Sequence, residues 1–229
     1  MISTESSGLS LMVLAMLCAS VLGCEGPKTI DVSTTSHLFA DPEDYTKWVN
    51  PMIGTAKMGH TYPGATVPYG MVQLTPQTHF EPIVDASGSY NPATYPYCAG
   101  YQYDDSTILG FVHTAFSGTG HSDLGDLLLM PTVGRPDLNS NDKGGPRFGS
   151  SFKHSQEKAT PGLYRVRLDR HAIDVDLTAT ARTGAHRYTF TEGGAAHIAL
   201  DLTYNIYHHP DKNVWTFVRV ENDSTVVGY

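Results

Sequence analysis

The sequence has few cysteines and few basic residues, and each shortage excludes a class of protein. It contains three cysteines in 229 residues. If Cys18 is removed with an export signal and Cys24 carries a lipid, only Cys98 remains, so no disulfide framework can form. We interpret Cys98 as a small buried hydrophobic residue. Lysine and arginine number 15 against 23 acidic residues, a net charge of −8. Because the sequence also has no cluster of basic residues, its charge argues against electrostatic binding of nucleic acid, and we expect no nucleic-acid partner.

The sequence also lacks a hydrophobic run long enough for a comfortable transmembrane helix. Its apolar run at 9–23 has the length of a signal-peptide core, and small residues surround its end. The segment Val21-Leu-Gly-Cys24 resembles a bacterial lipobox, in which Cys24 becomes the acylated first residue. We therefore expect a signal peptide over 1–23, a polar tether over 24–44, and export with lipid anchoring on the periplasmic or outer side of a membrane. Ordinary secretion and a chance apolar stretch are the alternatives.

Convincing amphipathic helices are absent from the rest of the chain, and strand signals take their place. Segments 162–169, 173–180 and 185–190 alternate apolar and polar residues with the period of two typical of half-buried strands. Further strands are predicted at 71–74, 108–114, 127–130, 150–156, 197–202, 214–220 and 225–229, with a hairpin turn at 221–224. Such recurring strands predict an all-β fold, an antiparallel β-sandwich over 45–229. Because the last strand runs to the end of the sequence, we expect the domain to be truncated there.

The loop at 117–126 carries the densest chemistry of the sequence. It combines three glycines with hydroxyl groups, an imidazole and two carboxylates. Glycine lets the backbone approach a ligand closely, and the polar side chains offer donors and acceptors at one point, as a sugar or metal site needs. A turn in which Asp123 and Asp126 bond to their own backbone explains the composition equally well. A phosphate-binding loop is excluded, because the third glycine of a dinucleotide motif, the Lys-Ser/Thr pair of a P-loop and a following helix are missing.

Ordered motifs recur along the chain from Trp48 to the last residue. They are Asn50-Pro-Met-Ile-Gly-Thr, His60-Thr-Tyr-Pro-Gly-Ala-Thr-Val-Pro-Tyr-Gly-Met-Val-Gln-Leu, Ala99-Gly-Tyr101, Ile108-Leu-Gly-Phe, Phe116-Ser-Gly-Thr-Gly-His-Ser-Asp-Leu-Gly-Asp126, Pro161-Gly-Leu-Tyr-Arg-Val-Arg-Leu and Leu177-Thr-Ala-Thr-Ala-Arg-Thr-Gly-Ala-His-Arg-Tyr-Thr-Phe190. Together they resemble the N-terminal domain of glycoside hydrolase family 92, the exo-acting α-mannosidases abundant in Bacteroidetes.

The resemblance implies a two-domain enzyme of which this sequence is one part. In that family a β-sandwich precedes a larger α-helical barrel domain, the enzymes depend on calcium, and they invert configuration with a glutamate acid and an aspartate base from the helical domain. The resemblance thus implies that this chain holds no catalytic residue. It would supply one wall of a pocket for α-mannosides of glycans, N-glycans included, and be inactive without the missing C-terminal catalytic domain. The resemblance assigns neither calcium ligands nor a glycosidic linkage.

Five residues are expected to contact substrate on that wall. Gly120, His121 and Asp123 belong to the glycine-rich loop, and an imidazole suits hydrogen bonding to a sugar hydroxyl; loop scaffolding is the alternative for His121 and Asp123. Tyr101 closes the Ala-Gly-Tyr motif. Family members often carry a tryptophan shortly before that motif, and Tyr95 or a neighbouring tyrosine takes its place here.

Other polar residues are assigned structural roles. We expect Asp126, next to the following strand, to act as loop scaffold, and His113 to be a satisfied core histidine. The adjacent His208 and His209 are interpreted as a surface loop, because neighbouring side chains point in different directions.

Two competing functions stay open. A stand-alone carbohydrate-binding sandwich would require a complete set of strands and a natural stop near Tyr229. A metallohydrolase could be built from His113, His121, Asp123 and Asp126, although these lack a recognisable spacing such as His-Glu-x-x-His.

Overall fold

The computed structural model describes residues 44–78, 81–118, 120–121, 123–134, 148–209 and 212–229. The predicted signal peptide, Cys24 and the tether up to residue 43 lie outside the described residues. The compact unit described below is Tyr45–Tyr229. In the described ranges, no helix is both long and apolar enough to cross a bilayer.

Two five-stranded sheets and a hairpin make up the described chain. The first sheet contains, in spatial order, β1 (Ala65–Thr66), β2 (Gln73–Gln77), β4 (Gly110–Val112), β5 (Leu128–Val133) and β10 (Ala196–Asp201). The second contains β3 (Thr107–Ile108), β6 (Ser150–Thr160), β7 (Leu163–Leu168), β8 (Ile173–Ala179) and β9 (Gly184–Phe190). The hairpin pairs β11 (Val218–Asn222) with β12 (Thr225–Gly228). Short 3-10 helices occur at Tyr45–Trp48, Lys57–Gly59, Pro92–Tyr97 and Ile206–His208.

The second sheet forms where the alternation of the sequence predicts it. On β8, Ile173, Val175 and Leu177 are buried, whereas the intervening Asp174 and Asp176 are half-exposed. The pairing of β7 with β8 sets Arg165 opposite Asp176, and their side chains form an ion pair at 2.5 Å. A shift of one residue would bury these charges, so the hydrophobic pattern fixes the register.

The core lies between the two sheets. Leu74, Phe111 and Val112 of the first sheet and Tyr164 and Leu177 of the second are fully buried, each at 0% exposure. All strand pairs within these sheets and in the hairpin are antiparallel. The prediction of an all-β antiparallel sandwich is therefore confirmed.

Several strand boundaries differ from the sequence prediction. The strand predicted at 108–114 divides at Leu109 into β3, in the second sheet, and β4, in the first. The strand predicted at 150–156 continues to Thr160, and β1 was not predicted. Strand β2 continues through Pro76, opposite Phe111, and β5 continues through Pro131, opposite Ile198. Proline fits a ladder where its missing N–H faces away from the hydrogen-bonding partner, so it does not always end a strand. The strand predicted to begin at Val214 begins only at Val218.

Candidate functional site

The base of the 117–126 loop is closed by two residues. The backbone N–H of Asp126 donates to Thr114 Oγ1 at 3.1 Å, and that hydroxyl donates to Asp126 Oδ2 at 3.3 Å. The N–H of Gly125 donates to the Thr114 carbonyl at 2.9 Å. Asp126 therefore ties the end of the loop to the end of β4, which supports its interpretation as scaffold.

Gly120 lies against two rings that come from distant segments. A Cβ at Gly120 would lie 3.2 Å from His60 Nδ1 and 3.3 Å from Tyr95 Oη. The rings of His60 and Tyr95 are perpendicular, with centroids 5.0 Å apart. The N–H of Gly118 donates to the His60 carbonyl at 2.5 Å, which holds the loop over this histidine. Two of the predicted site residues, Gly120 and Tyr95, are thus brought together.

His60 is a site residue that the sequence analysis placed only within a family motif. Its side chain is buried at 8% exposure, and its Nε2 has no hydrogen-bond partner within the described residues. Its φ of 52° is left-handed. No sequence signal distinguishes this histidine from a core histidine, because its position depends on the packing of the loop above it.

His121 and Asp123 lie on the exposed side of the same loop. Asp123 Oδ1 accepts the N–H of Leu124 at 2.8 Å and lies 3.7 Å from Lys212 Nζ. Burial lowers the pKa of His209, and the charges of Lys212 and His121 lower it further while Asp123 raises it. These four charged or titratable groups therefore lie within electrostatic reach of one another and form a polar surface.

The segment that carries His208 and His209 is not the surface loop predicted from the sequence. Ile206 and Tyr207 are buried, and both histidines are half-buried. Gly125 makes this packing possible, since a Cβ there would lie 2.5 Å from Ile206 Cγ1. The short 3-10 helix turns the chain under the loop, which brings His209 beside the polar surface.

Tyr101 occupies a different environment from the other predicted contacts. Its side chain has 0% exposure, and its hydroxyl donates to Glu157 at 3.0 Å. The Glu157 carboxylate, at 1% exposure, also accepts from Tyr164 Oη and contacts His154 Nδ1, both at 2.7 Å. Desolvation, followed by the charge of Glu157, raises the pKa of Tyr101 and of Tyr164. Tyr101 thus lies inside the sandwich, away from the surface around Gly120.

The residues proposed for a metallohydrolase do not gather at one point. In the part of the chain that the structure describes, no three His, Cys, Asp or Glu side chains approach as a metal site would require. His113 is half-buried and its Nε2 lies 3.1 Å from His186 Nε2, which agrees with its interpretation as a satisfied histidine. Cys98 is buried at 1% exposure, as predicted.

A concave surface of about 550 Å³ adjoins the loop at Ser117. Exposed Tyr69 and the β6–β7 turn at Gly162 lie along it, and its walls are mainly apolar. Apolar clefts with a few polar groups are typical of small-ligand sites.

Comparison with known proteins identifies relatives of this fold. The model of the glycosyl hydrolase family 92 N-terminal domain matches residues 48–229. An uncharacterized secreted glycosidase of Arthroderma benhamiae is 27% identical over 154 residues, which cover 66% of this chain and 18% of that protein.

Solved structures agree with this match. The family GH92 α-mannosidase BT3965 of Bacteroides thetaiotaomicron, solved with mannoimidazole, is 32% identical with a TM-score of 0.65, over 81% of this chain and 23% of that one. The family GH92 inverting mannosidase BT2199 of the same species is 26% identical with a TM-score of 0.52, over 71% and 20% of the two chains.

An antiparallel sandwich with these relatives defines a domain of a glycoside hydrolase. The chain belongs to glycoside hydrolase family 92, whose N-terminal domain it matches along most of its length. It spans about a fifth of the length of the relatives that it matches.

Proposed function

We propose that this chain is the N-terminal part of a calcium-dependent, inverting exo-α-mannosidase and forms one wall of its active-site pocket. Family membership and the likeness to two mannosidases support this proposal. The observation that carries it is the close approach of Gly120 to Tyr95, in the loop that also carries the exposed His121 and Asp123. Catalysis itself is assigned to an acid and a base from a helical domain outside this chain.

The chemistry of this surface suits a sugar. Tyr95 is 41% exposed and offers a ring face and a hydroxyl. Asp123 can accept bonds from sugar hydroxyls, and His121 can donate or accept. An inverting glycosidase holds its two carboxylates roughly 6.5–9.5 Å apart to admit water, so other groups must hold the sugar in place. In this proposal the loop binds and orients the substrate and transfers no proton.

Calcium belongs to the proposal for the complete enzyme. Among the described residues no cluster of acidic, histidine or cysteine side chains fits a metal ion, so we assign a calcium ligand to none of them. We derive no catalytic step through the ion.

Export is a further part of the proposal. The relative of Arthroderma benhamiae is named as a secreted glycosidase. We propose that residues 1–23 direct export and that Cys24 is lipidated, which would hold the protein on the periplasmic or outer face of a bacterial membrane. Palmitate labelling in the native host should mark the wild type and not Cys24→Ala. An unlabelled, freely soluble wild type would contradict anchoring and leave ordinary secretion.

Kinetic measurements on the complete enzyme test whether the loop contacts substrate. His121→Ala and Asp123→Ala should each lower kcat/KM by roughly ten- to a hundred-fold, because each removes a polar contact with substrate. Their melting temperatures should match the wild type, and Asp223→Ala in the exposed β11–β12 turn serves as the control. Unchanged kcat/KM in both loop variants would show that the sugar is held elsewhere.

Activity measurements on the isolated chain distinguish part of a two-domain enzyme from a stand-alone binding module. We expect no turnover of α-mannosides by residues 24–229, whatever calcium is supplied. Turnover would contradict the two-domain proposal. A cooperative, monomeric fold with sugar affinity and no requirement for further sequence would favour the binding module.

A further inference from the structure

A pair of histidines joins the two sheets beneath the 117–126 loop. His113 follows β4 of the first sheet and His186 lies in β9 of the second. Their Nε2 atoms are 3.1 Å apart and their ring centroids 4.8 Å apart. Each ring has a second partner: His113 Nδ1 lies 3.3 Å from the Leu127 carbonyl, and His186 Nδ1 lies 2.8 Å from Tyr188 Oη.

The partners allow one arrangement of protons. A carbonyl oxygen only accepts, so His113 must carry its proton on Nδ1 and present a lone pair on Nε2. His186 must then donate from Nε2, and its Nδ1 accepts the hydroxyl proton of Tyr188. Every polar atom in this chain of bonds is satisfied when both imidazoles are neutral.

This chain of bonds ends at the base of the loop. The N–H of His113 donates to the Asp126 carbonyl at 3.3 Å, and the next residue, Leu127, has a left-handed φ of 58°. His113 and Leu127 are therefore the two points between which the loop leaves the first sheet. The bond to His186 anchors both of them to the second sheet.

We propose that the His113–His186 pair is an acid-sensitive clamp that holds the base of the 117–126 loop against the second sheet. Protonation of both rings places two N–H donors face to face, adds a repulsion between two positive charges, and breaks this contact between the sheets. The clamp is closed when both rings are neutral and opens in acid. It follows from the histidine geometry alone and does not depend on the proposed substrate.

The charged groups near the pair are bonded to other partners or lie on the opposite face of the sheet. The pH dependence of the contact is therefore set by the two imidazole rings. On β8 and β9, Asp176 and Arg187 pair at 2.7 Å on the opposite face of the sheet from His186. From β7, Arg165 joins the same ion pair. On the loop side, the Asp126 carboxylate is bonded to Thr114. The first sheet presents apolar groups, with Leu74 packed beside Gly184 next to the His113 ring.

The direction of the pH effect follows from burial. Desolvation lowers the pKa of His113, and desolvation with the charge of His113 lowers the pKa of His186 to about 4. An unfolded histidine titrates near 6.5. Because the folded pKa is the lower one, the clamp contributes fully above about pH 6.5, and its contribution is lost as the pH falls towards 4.

Hydrogen exchange on the full chain tests the clamp. Protection of amides at 117–126, corrected for the intrinsic rate, should fall by about tenfold or more between pH 7 and 4.5. His186→Gln keeps a donor and an acceptor and leaves His113 as the titrating ring of the pair, so its loop protection should fall at least about threefold less than that of the wild type over the same range. His197→Gln, on exposed β10, should behave as the wild type. Equal pH dependence in the wild type and His186→Gln would overturn the proposal.

Nitrogen NMR of the wild-type histidines provides a test that needs no variant. At pH 7 the clamp requires a protonated Nε2 on His186 and a bare Nε2 on His113, and both rings should stay neutral well below pH 6.5. The reverse tautomers, or an ordinary titration of both rings near pH 6.5, would overturn it.

Discussion

The hydroxyl of Tyr207 donates a hydrogen bond to the backbone carbonyl of Tyr95 over 3.1 Å. The same hydroxyl lies 2.8 Å from Cys98 Sγ. Burial is the main cause that raises the pKa of Tyr207, so its proton stays in place at any physiological pH. Residues far apart in sequence thus position the aromatic ring proposed to face the sugar.

Removing this hydroxyl should affect both folding and binding. Tyr207→Phe should lower the free energy of unfolding by about 1–2 kcal/mol, because the Tyr95 carbonyl loses a donor in a poorly solvated site. It should also weaken the binding of the proposed mannoside substrate by the full enzyme, because the Pro92–Tyr97 helix loses one of its contacts. Urea unfolding and KM measure the two effects. Tyr204→Phe, which loses a buried bond of 3.1 Å to Gln77, should show the stability loss alone. A similar KM change in both variants would contradict a specific role for Tyr207.

The loop glycines make a matched pair. Gly120 and Gly118 both have left-handed φ, at 62° and 77°, so alanine at either position strains the backbone by about 1 kcal/mol. A Cβ at Gly118 meets nothing within 4 Å, whereas at Gly120 it presses on His60 and Tyr95. Gly120→Ala should therefore lower kcat/KM of the complete enzyme several-fold more than Gly118→Ala, at similar losses of melting temperature. Equal kinetics in the two variants would mean that the contact with Tyr95 is irrelevant to substrate.

The buried Glu157 carboxylate should make the stability of the fold sensitive to a nearly isosteric substitution. Glu157→Gln keeps one oxygen that can accept from Tyr101 and Tyr164, but it removes the negative charge and replaces the oxygen facing His154 with an NH₂ group. We expect a loss of about 1–3 kcal/mol in urea unfolding. Glu221→Gln removes an exposed carboxylate that pairs with Arg219, and it should cost well under 1 kcal/mol. Comparable losses at the two positions would show that Glu157 is solvated in solution.

Substitution of the two loop aspartates should have different effects, on stability at Asp126 and on substrate binding at Asp123. Asp126→Ala removes the carboxylate that bonds to Thr114 and should lower the free energy of unfolding by about 1 kcal/mol. Asp123→Ala alters an exposed side chain and should leave melting unchanged while lowering kcat/KM. Thermal melts beside full-length kinetics compare them. The reverse pattern, stability lost at Asp123 and activity at Asp126, would exchange their assigned roles.

The sequence predicted best those features that depend on local periodicity. Strands β7, β8 and β9 follow the alternation of apolar and polar residues, because a half-buried strand imposes that pattern. Glu157 escapes such a rule: the β6–β7 register shifts between Phe152 and Glu157, and a bulge of this kind turns a charged residue inward. The periodicity also did not predict that β2 and β5 continue through proline, because a proline fits a strand only where the partner strand does not need its N–H.

The site was predictable in composition and less so in placement. The unusual density of polar groups predicted the glycine-rich loop as a site. Tyr95 was predicted from its position just before the Ala-Gly-Tyr motif of the family. Tyr95 and Tyr101 carry the same side chain, yet one is exposed and the other lies in the core. That difference is set by tertiary packing around Glu157 and by the short helix at Pro92–Tyr97. His60 and His209 enter the site only because distant segments fold over one another.

The order of the strands has a consequence for how the chain folds. Strands β6 to β9 are successive neighbours joined by short turns, whereas β5 pairs with β10 across the whole of that meander. Strands that are far apart in sequence lose more chain entropy when they pair, because a longer loop must close before their contacts form. Pairs of neighbouring strands therefore form sooner. The meander should therefore be the nucleus, and the β5–β10 ladder should close late. Substitutions inside β7 and β8 would then slow folding, while those in β10 would chiefly hasten unfolding.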